Sequence, residues 1–253
     1  MAIARYFAMT AAEISLNSLL PPKIAWMACH FSPYGDGLSN LPEALPPDSL
    51  LILNDRTPIH GHDPQRIAGQ LSEVLEALDC RGLLLDFQRP GVEETAALTR
   101  HLVQTLPRTV AVSDLYAREL DCPVFLPPVP ADTPLSGYLP PWKGREIWLE
   151  MALEGKSITL TAEGAACGSL PPGAAASGGF SEEQLHCHYA VTASQDAARF
   201  TLWRTEADLE ALLEEAQSQG VTTAVGLYQE FKPSLSPAPP KKAHNMPEPQ
   251  MRD

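Results

Sequence analysis

No two of the five cysteines form a C-x-x-C pair; Cys29, Cys80, Cys122, Cys167 and Cys187 are scattered, three of them in or beside predicted strands. That usage belongs to a reducing cytosol rather than to a disulfide framework, so a cytoplasmic location is expected. Positive charge is scarce as well. Eighteen Lys and Arg face 31 Asp and Glu, the formal net charge is -13, and the one basic cluster is Lys241-Lys242. This balance argues against nucleic acid or an anionic membrane as the main partner. No apolar run approaches membrane-spanning length. The opening MAIARYFAMTAAEISLNSLL is interrupted by Arg5, Glu13 and Asn17, so no signal peptide is read there. Also missing are a P-loop, a G-x-G-x-x-G after a strand and a G-x-S-x-G elbow, which leaves nucleotide and serine-hydrolase chemistry without support. No repeat of fixed period is visible.

What the 253 residues do contain is a series of short apolar runs ending in polar tips. Foremost is Arg81-Gly-Leu-Leu-Leu-Asp-Phe-Gln-Arg-Pro90, in which three leucines run into Asp86, Phe87 and Gln88. A helical pattern precedes it and Pro90-Gly91 stops it, as expected of a buried parallel strand. Alternation puts Leu84, Asp86 and Gln88 on one face and Leu83, Leu85 and Phe87 on the other. Polar groups at the last turn of such a strand suit the carboxyl-terminal mouth of an α/β barrel.

Strand-like runs begin near residues 24, 50, 82, 109, 122, 146, 157 and 222. Helical spacing over Pro64–Leu78, with Asp63 as N-cap and Pro64 at the first helical position, and again over Val92–Leu106, supplies βαβ units. The connection before Cys122 is too short for a full helix. His186–Ala193 and Ala198–Arg204 face each other across a short turn as an antiparallel hairpin, and Gly164–Gly179 reads as a flexible excursion. Thr205 caps a helix over Glu206–Gln219, with Asp208 completing a capping box. The expected fold is thus α/β: an irregular (β/α)8 TIM-like barrel over residues 23–231 with a late antiparallel hairpin insertion. Residues 1–22 are expected to be a leader, and the Pro-rich 232–253 a disordered tail.

The run at Arg81–Gln88 resembles the signature strand of the family-18 chitinase-like barrels, D-G-x-D-x-D-x-E. Gly82 and Asp86 match it; Arg81, Leu84 and Gln88 stand where the family has Asp, Asp and the catalytic Glu. The strand count puts this run third, whereas the family carries its signature on the fourth strand. The late hairpin, the helix after it and a closing strand with an aromatic near its end, here Tyr228 rather than Trp, are similar to the way these barrels finish. The resemblance implies a cleft for amino-sugar glycans. In the family the glutamate protonates the leaving sugar, and the aspartate two residues before it orients the substrate's own N-acetyl group.

Gln88 has no proton to donate near neutral pH, and losing a general acid typically costs about 10²–10⁴-fold. Glycan binding by a glycoside hydrolase-like protein is therefore favoured over hydrolysis. The alternative is an active glycosidase in which another carboxylate, Asp55, Asp114, Glu150 or Glu230, takes over, since each sits near a predicted strand end. The catalytic candidates are Asp86, Glu230 and Asp114; the substrate-binding candidates are Gln88, Asp55, Tyr34, Glu150 and Tyr228. In the last strand, Ala224 and Gly226 are expected on the inward face with Tyr228 and Glu230. A further alternative is a metal-dependent hydrolase using the pairs His60/His62 and His186/His188, since two residues apart on a strand share a face. Neither a resident metal nor a cofactor is expected, and the partner is an oligosaccharide or another small polar ligand.

Overall fold

In the computed structural model, residues 2–235 are described except 18, 36, 60 and 177. The elements run β1 (Ala4–Met9), α1 (Ala11–Leu16), β2 (Ile24–Phe31), β3 (Leu38–Ser39), β4 (Leu50–Asn54), α2 (Pro64–Ala77), β5 (Gly82–Asp86), α3 (Glu93–Thr105), β6 (Thr109–Ser113) and α4 (Asp114–Ala117). They continue with β7 (Val124–Leu126), α5 (Leu135–Tyr138), a 3-10 turn at Pro140–Trp142 and β8 (Ile147–Met151). The chain ends with β9 (Gly155–Thr161), β10 (Gly164–Ser169), β11 (Phe180–Glu182), β12 (Cys187–Ala193), β13 (Ala197–Trp203), α6 (Glu206–Ser218), β14 (Val221–Leu227) and α7 (Tyr228–Leu235).

Eight parallel strands close in the order β1-β14-β8-β7-β6-β5-β4-β2, and β2 pairs back onto β1. This is a (β/α)8 TIM-like barrel. Its strands are buried on both faces, and that is why they read as near-continuous apolar runs. Tyr6, Ala25, Leu50, Ile52, Leu84, Phe125, Trp148 and Val225 fill the inside. Leu83, Leu85, Phe87, Leu149 and Met151 face outward into the larger core under the helices, with Ile67, Leu71 and Leu75 of α2 and Leu98 and Leu102 of α3. Gly82 is required by crowding at the start of β5, where a Cβ would stand 2.4 Å from the Thr109 carbonyl oxygen on β6. The expected caps are in place: Gln65 N–H donates to Asp63 (3.0 Å), and Thr205 and Asp208 form a reciprocal capping box on α6.

Two strands differ from expectation, and the errors compensate. Within the supposed leader, Ala4–Met9 is the first barrel strand, in register with β14 from Ala4↔Thr223 to Ala8↔Leu227 and with β2 from Phe7↔Ile24 to Met9↔Trp26. Arg5, which broke the apolar pattern, points outward and makes a two-pronged ion pair with Glu210 on α6 (2.6 Å for the second contact). Conversely Lys156–Thr161 leaves the barrel. It belongs to a five-stranded antiparallel sheet, order β10-β9-β13-β12-β11, inserted between β8 and α6. The expected hairpin is β12–β13, and the segment expected to be a flexible excursion contributes β10 and leads into β11. With β1 counted, β5 is the fourth barrel strand.

Arg204 ties this sheet to the barrel. It is buried, and its guanidinium donates to the carbonyls of His186 (3.1 Å), Pro130 (3.2 Å), Leu185 (3.2 Å) and Val129. The last strand also ends sooner than expected, at Leu227, and Tyr228–Leu235 is a helix that carries the first residues assigned to the tail. The rest of that tail, 236–253, lies outside the described residues. No helix among the described residues is long and apolar enough to cross a membrane.

Candidate functional site

The carboxyl ends of β4, β5 and β8 open into one cavity of about 430 Å³. Its floor is apolar: Met27, Ile52, Leu84, Phe125 and Val225. Around the mouth stand Asn54, Asp55, Arg56, Asp86, Gln88, Arg89 and Glu150. Parallel register sets Asn54 beside Asp86, and inward alternation brings Glu150 up from Trp148 on β8.

These polar groups are not equally available. Asn54 donates its amide to the Cys29 and Met27 carbonyls (3.0 and 3.4 Å), where the β2–β4 register shifts, and accepts from Arg56 N–H (3.2 Å). Asp55 is buried, and its two oxygens accept the backbone N–H groups of Gln88 (3.1 Å) and Arg89 (2.9 Å). Both side chains are thereby occupied in shaping the loops. Among the described residues, the Asp86 carboxyl accepts from the Gln88 side-chain amide alone. Burial pushes the Asp86 carboxyl above its ordinary range; the Gln88 amide pulls it back in part, and the charge of Asp55 adds to the rise.

Glu150 is shifted further. Burial first, then the charges of Asp86, Glu230 and Glu154, raise it from 4.5 to about 7. At neutral pH it is divided between a proton donor and a carboxylate, the state suited to general acid chemistry. Asp114 and Glu150 both bear on Tyr138, whose hydroxyl is raised chiefly by burial and donates to the Pro127 carbonyl (2.9 Å).

The remaining expected residues lie elsewhere. Asp114 is the first residue of α4 and Glu230 lies on α7, accepting Leu153 N–H (3.0 Å); neither lines the cavity. Tyr34 is 87% exposed on the loop after β2. Tyr228 is buried among the helices and donates its hydroxyl to Asn17 (3.2 Å). The inward face of β14 is that of Val225, so Ala224 and Gly226 face outward. Gly226 is small because a Cβ would meet Met151 and Phe231 at 2.6–2.7 Å. Trp26 and Trp148 are core residues, and the aromatic that reaches the cavity is Phe125.

His186 and His188 do not share a metal site. His186 precedes β12 with a positive φ and bonds Glu215 (2.8 Å), whereas His188 bonds Asp208 (2.8 Å), so each imidazole is held by a separate α6 carboxylate. His62 packs on Phe31, and His60 lies outside the described residues. Among the described residues no group of three or more His, Cys, Asp or Glu side chains is arranged to hold a metal.

No protein-family model and no curated protein matches the chain. Solved structures do. A class V chitinase from Nicotiana tobaccum, a Glu-to-Gln mutant in complex with a NAG tetramer, superimposes with a TM-score of 0.56 at 12% identity, over 88% of this chain and 93% of the other. A GH18 chitinase from Cycas revoluta, also carrying a Glu-to-Gln change and in complex with (GlcNAc)4, gives 0.55 at 11% over 92% and 97%. The Bacillus cereus spore cortex-lytic enzyme SleL gives 0.53 at 10% over 91% and 73%.

The fold is that of the chitinase-like barrels. On that fold, Asp86 ends the fourth barrel strand and Gln88 lies two residues beyond it. Arg56 and Arg89 were not singled out from sequence as site residues. The available signal was positional: each follows a polar strand tip, Asn54-Asp55 or Asp86-Phe87-Gln88, and so begins a loop at the barrel mouth.

Proposed function

We propose that the protein binds amino-sugar glycans in the cavity at the barrel mouth and does not cleave them through the chitinase route. The observation that carries this reading is the pairing of Asp86 with Gln88, an amide in the place of the general acid, at the edge of a 430 Å³ cavity. Asp86 keeps a free oxygen for a sugar N–H or O–H, and Gln88 keeps its carbonyl oxygen as an acceptor. Two similar folds hold sugar tetramers while carrying a Glu-to-Gln change, which supports binding without an acid. The apolar floor with Phe125 offers the face of a pyranose a dry surface. Calorimetric titration with (GlcNAc)4, alongside a reducing-end assay, tests this: saturable heat with no new reducing ends is expected, and loss of that heat in Asp86→Ala.

One observation favours a second reading, hydrolysis with Glu150 as the acid, because that carboxyl is held near neutrality inside the same cavity. Cleavage would then rise as pH falls toward 6 and vanish in Glu150→Gln. Glu230 and Asp114, which line no part of the cavity, would enter only through their charge.

A further inference from the structure

We infer that the glycan carries a carboxylate, received by the guanidinium groups of Arg56 and Arg89; this deepens the reading of a sugar-binding cavity and rests on it. In a chain of net charge -13, several cations are matched to an acid: Arg5 to Glu210, Lys23 to Asp48, Arg108 to Asp79 and Lys156 to Asp132. Arg56 and Arg89 form no ion pair among the described residues, although Asp55 and Asp86 share the cavity with them. Those two acids are turned to backbone N–H groups and to the Gln88 amide instead.

Arg89 is also held from three directions. Its N–H donates to Asp55, its carbonyl accepts from the Tyr116 hydroxyl, and its Nη2 donates to the Arg56 carbonyl (2.8 Å). A guanidinium has five N–H donors in a fixed fork, so most of them remain free, on a backbone that does not have to be ordered by the ligand. Both arginines are exposed and open to solvent at the mouth.

Across the mouth, Glu150 on β8 adds a carboxyl to that of Asp86 at the tip of β5. A ligand at this mouth meets guanidinium groups on the loops after β4 and β5 and carboxyls at the tips of β5 and β8. A neutral chito-oligosaccharide gains nothing from that polarity. A pyranose bearing a carboxylate, whether a hexuronic acid or an amino sugar with a lactyl ether, places its anion on the guanidinium fork and its N–H and O–H groups toward Asp86 and Glu150.

The test is calorimetry on the full chain with three oligosaccharides of equal length: (GlcNAc)4, one alternating GlcNAc with N-acetylmuramic acid, and an oligogalacturonate. At least one carboxylated ligand is expected to bind about tenfold or more tighter than (GlcNAc)4, a gain typical of charge-assisted hydrogen bonds. The two acidic ligands distinguish the lactyl from the uronic source. The preference should shrink as salt rises to about 0.5 M, and Arg56→Gln and Arg89→Gln should each cut it by about threefold or more. Equal or weaker binding of both acidic ligands overturns the inference and leaves sugar binding standing. An unchanged preference in both arginine variants also overturns it. Absence of binding by all three removes sugar binding and this inference together.

Discussion

The tips of β4 and β5 lie side by side and look alike in sequence, yet they do different work. Asn54 and Asp55 have both hydrogen-bonding ends occupied by backbone, and they hold the loops that begin at Arg56 and Gln88. The side chains of Asp86 and Gln88 bond to each other and face the cavity. A polar strand end is therefore a site only after its partners are counted. One tip builds the mouth, and its neighbour is left for a ligand.

Substitutions at the two tips should separate along that line. The largest effect is expected from Asp55→Ala, which removes the acceptor of two backbone N–H groups from a buried position. A loss of about 2–4 kcal/mol in urea unfolding is predicted; a loss under about 1 kcal/mol would show that water replaces the carboxylate and that the tips are not so different. Asp86→Ala should leave stability within about 1 kcal/mol of the parent, or raise it by removing a buried carboxyl, while weakening glycan binding about 10- to 100-fold. A variant that unfolds instead would make the β5 tip structural too.

Glu150 extends the comparison to a third tip. Its carboxyl is raised to about 7 from 4.5, so the folded protein binds that proton more tightly than the unfolded chain does. The stability linked to it is fully present below about 4.5 and is lost as pH rises through 7. Glu150→Gln should therefore match the parent near pH 4 and exceed it by about 1–2 kcal/mol near pH 8, read from denaturation midpoints at the two values. Equal pH dependence in parent and variant would assign the proton elsewhere. The smallest effect belongs to Tyr34→Ala, on an exposed loop side chain: glycan affinity is expected to change less than about twofold, and a larger drop would extend the site beyond the cavity.

Much of the barrel is legible in the sequence, because strands buried on both faces have to be apolar throughout. Leu50–Asn54, Gly82–Asp86 and Ile147–Met151 declare themselves in this way, and alternation alone puts Leu84 and Asp86 inward. What misleads is local. Arg5 disguises β1, because an outward position can carry a cation that reaches a helix carboxylate. In Lys156–Thr161 the mixed polar and apolar pattern marked a half-exposed antiparallel strand rather than a barrel strand. The sequence does not show that Tyr228 lies past the last strand, because no breaker stands between Leu227, which ends β14, and Tyr228, which begins α7. The availability of Asp86 against the occupation of Asp55 depends on partners 33 and 34 residues away, which no local pattern encodes.

The central claim meets its most direct test in a titration of (GlcNAc)4 into the parent protein and Asp86→Ala, with the recovered sugar then analysed for length. Saturable binding by the parent, its loss in the variant and an intact tetramer at the end are the predicted results. A tetramer that the parent ignores, or returns as shorter fragments, would contradict the account.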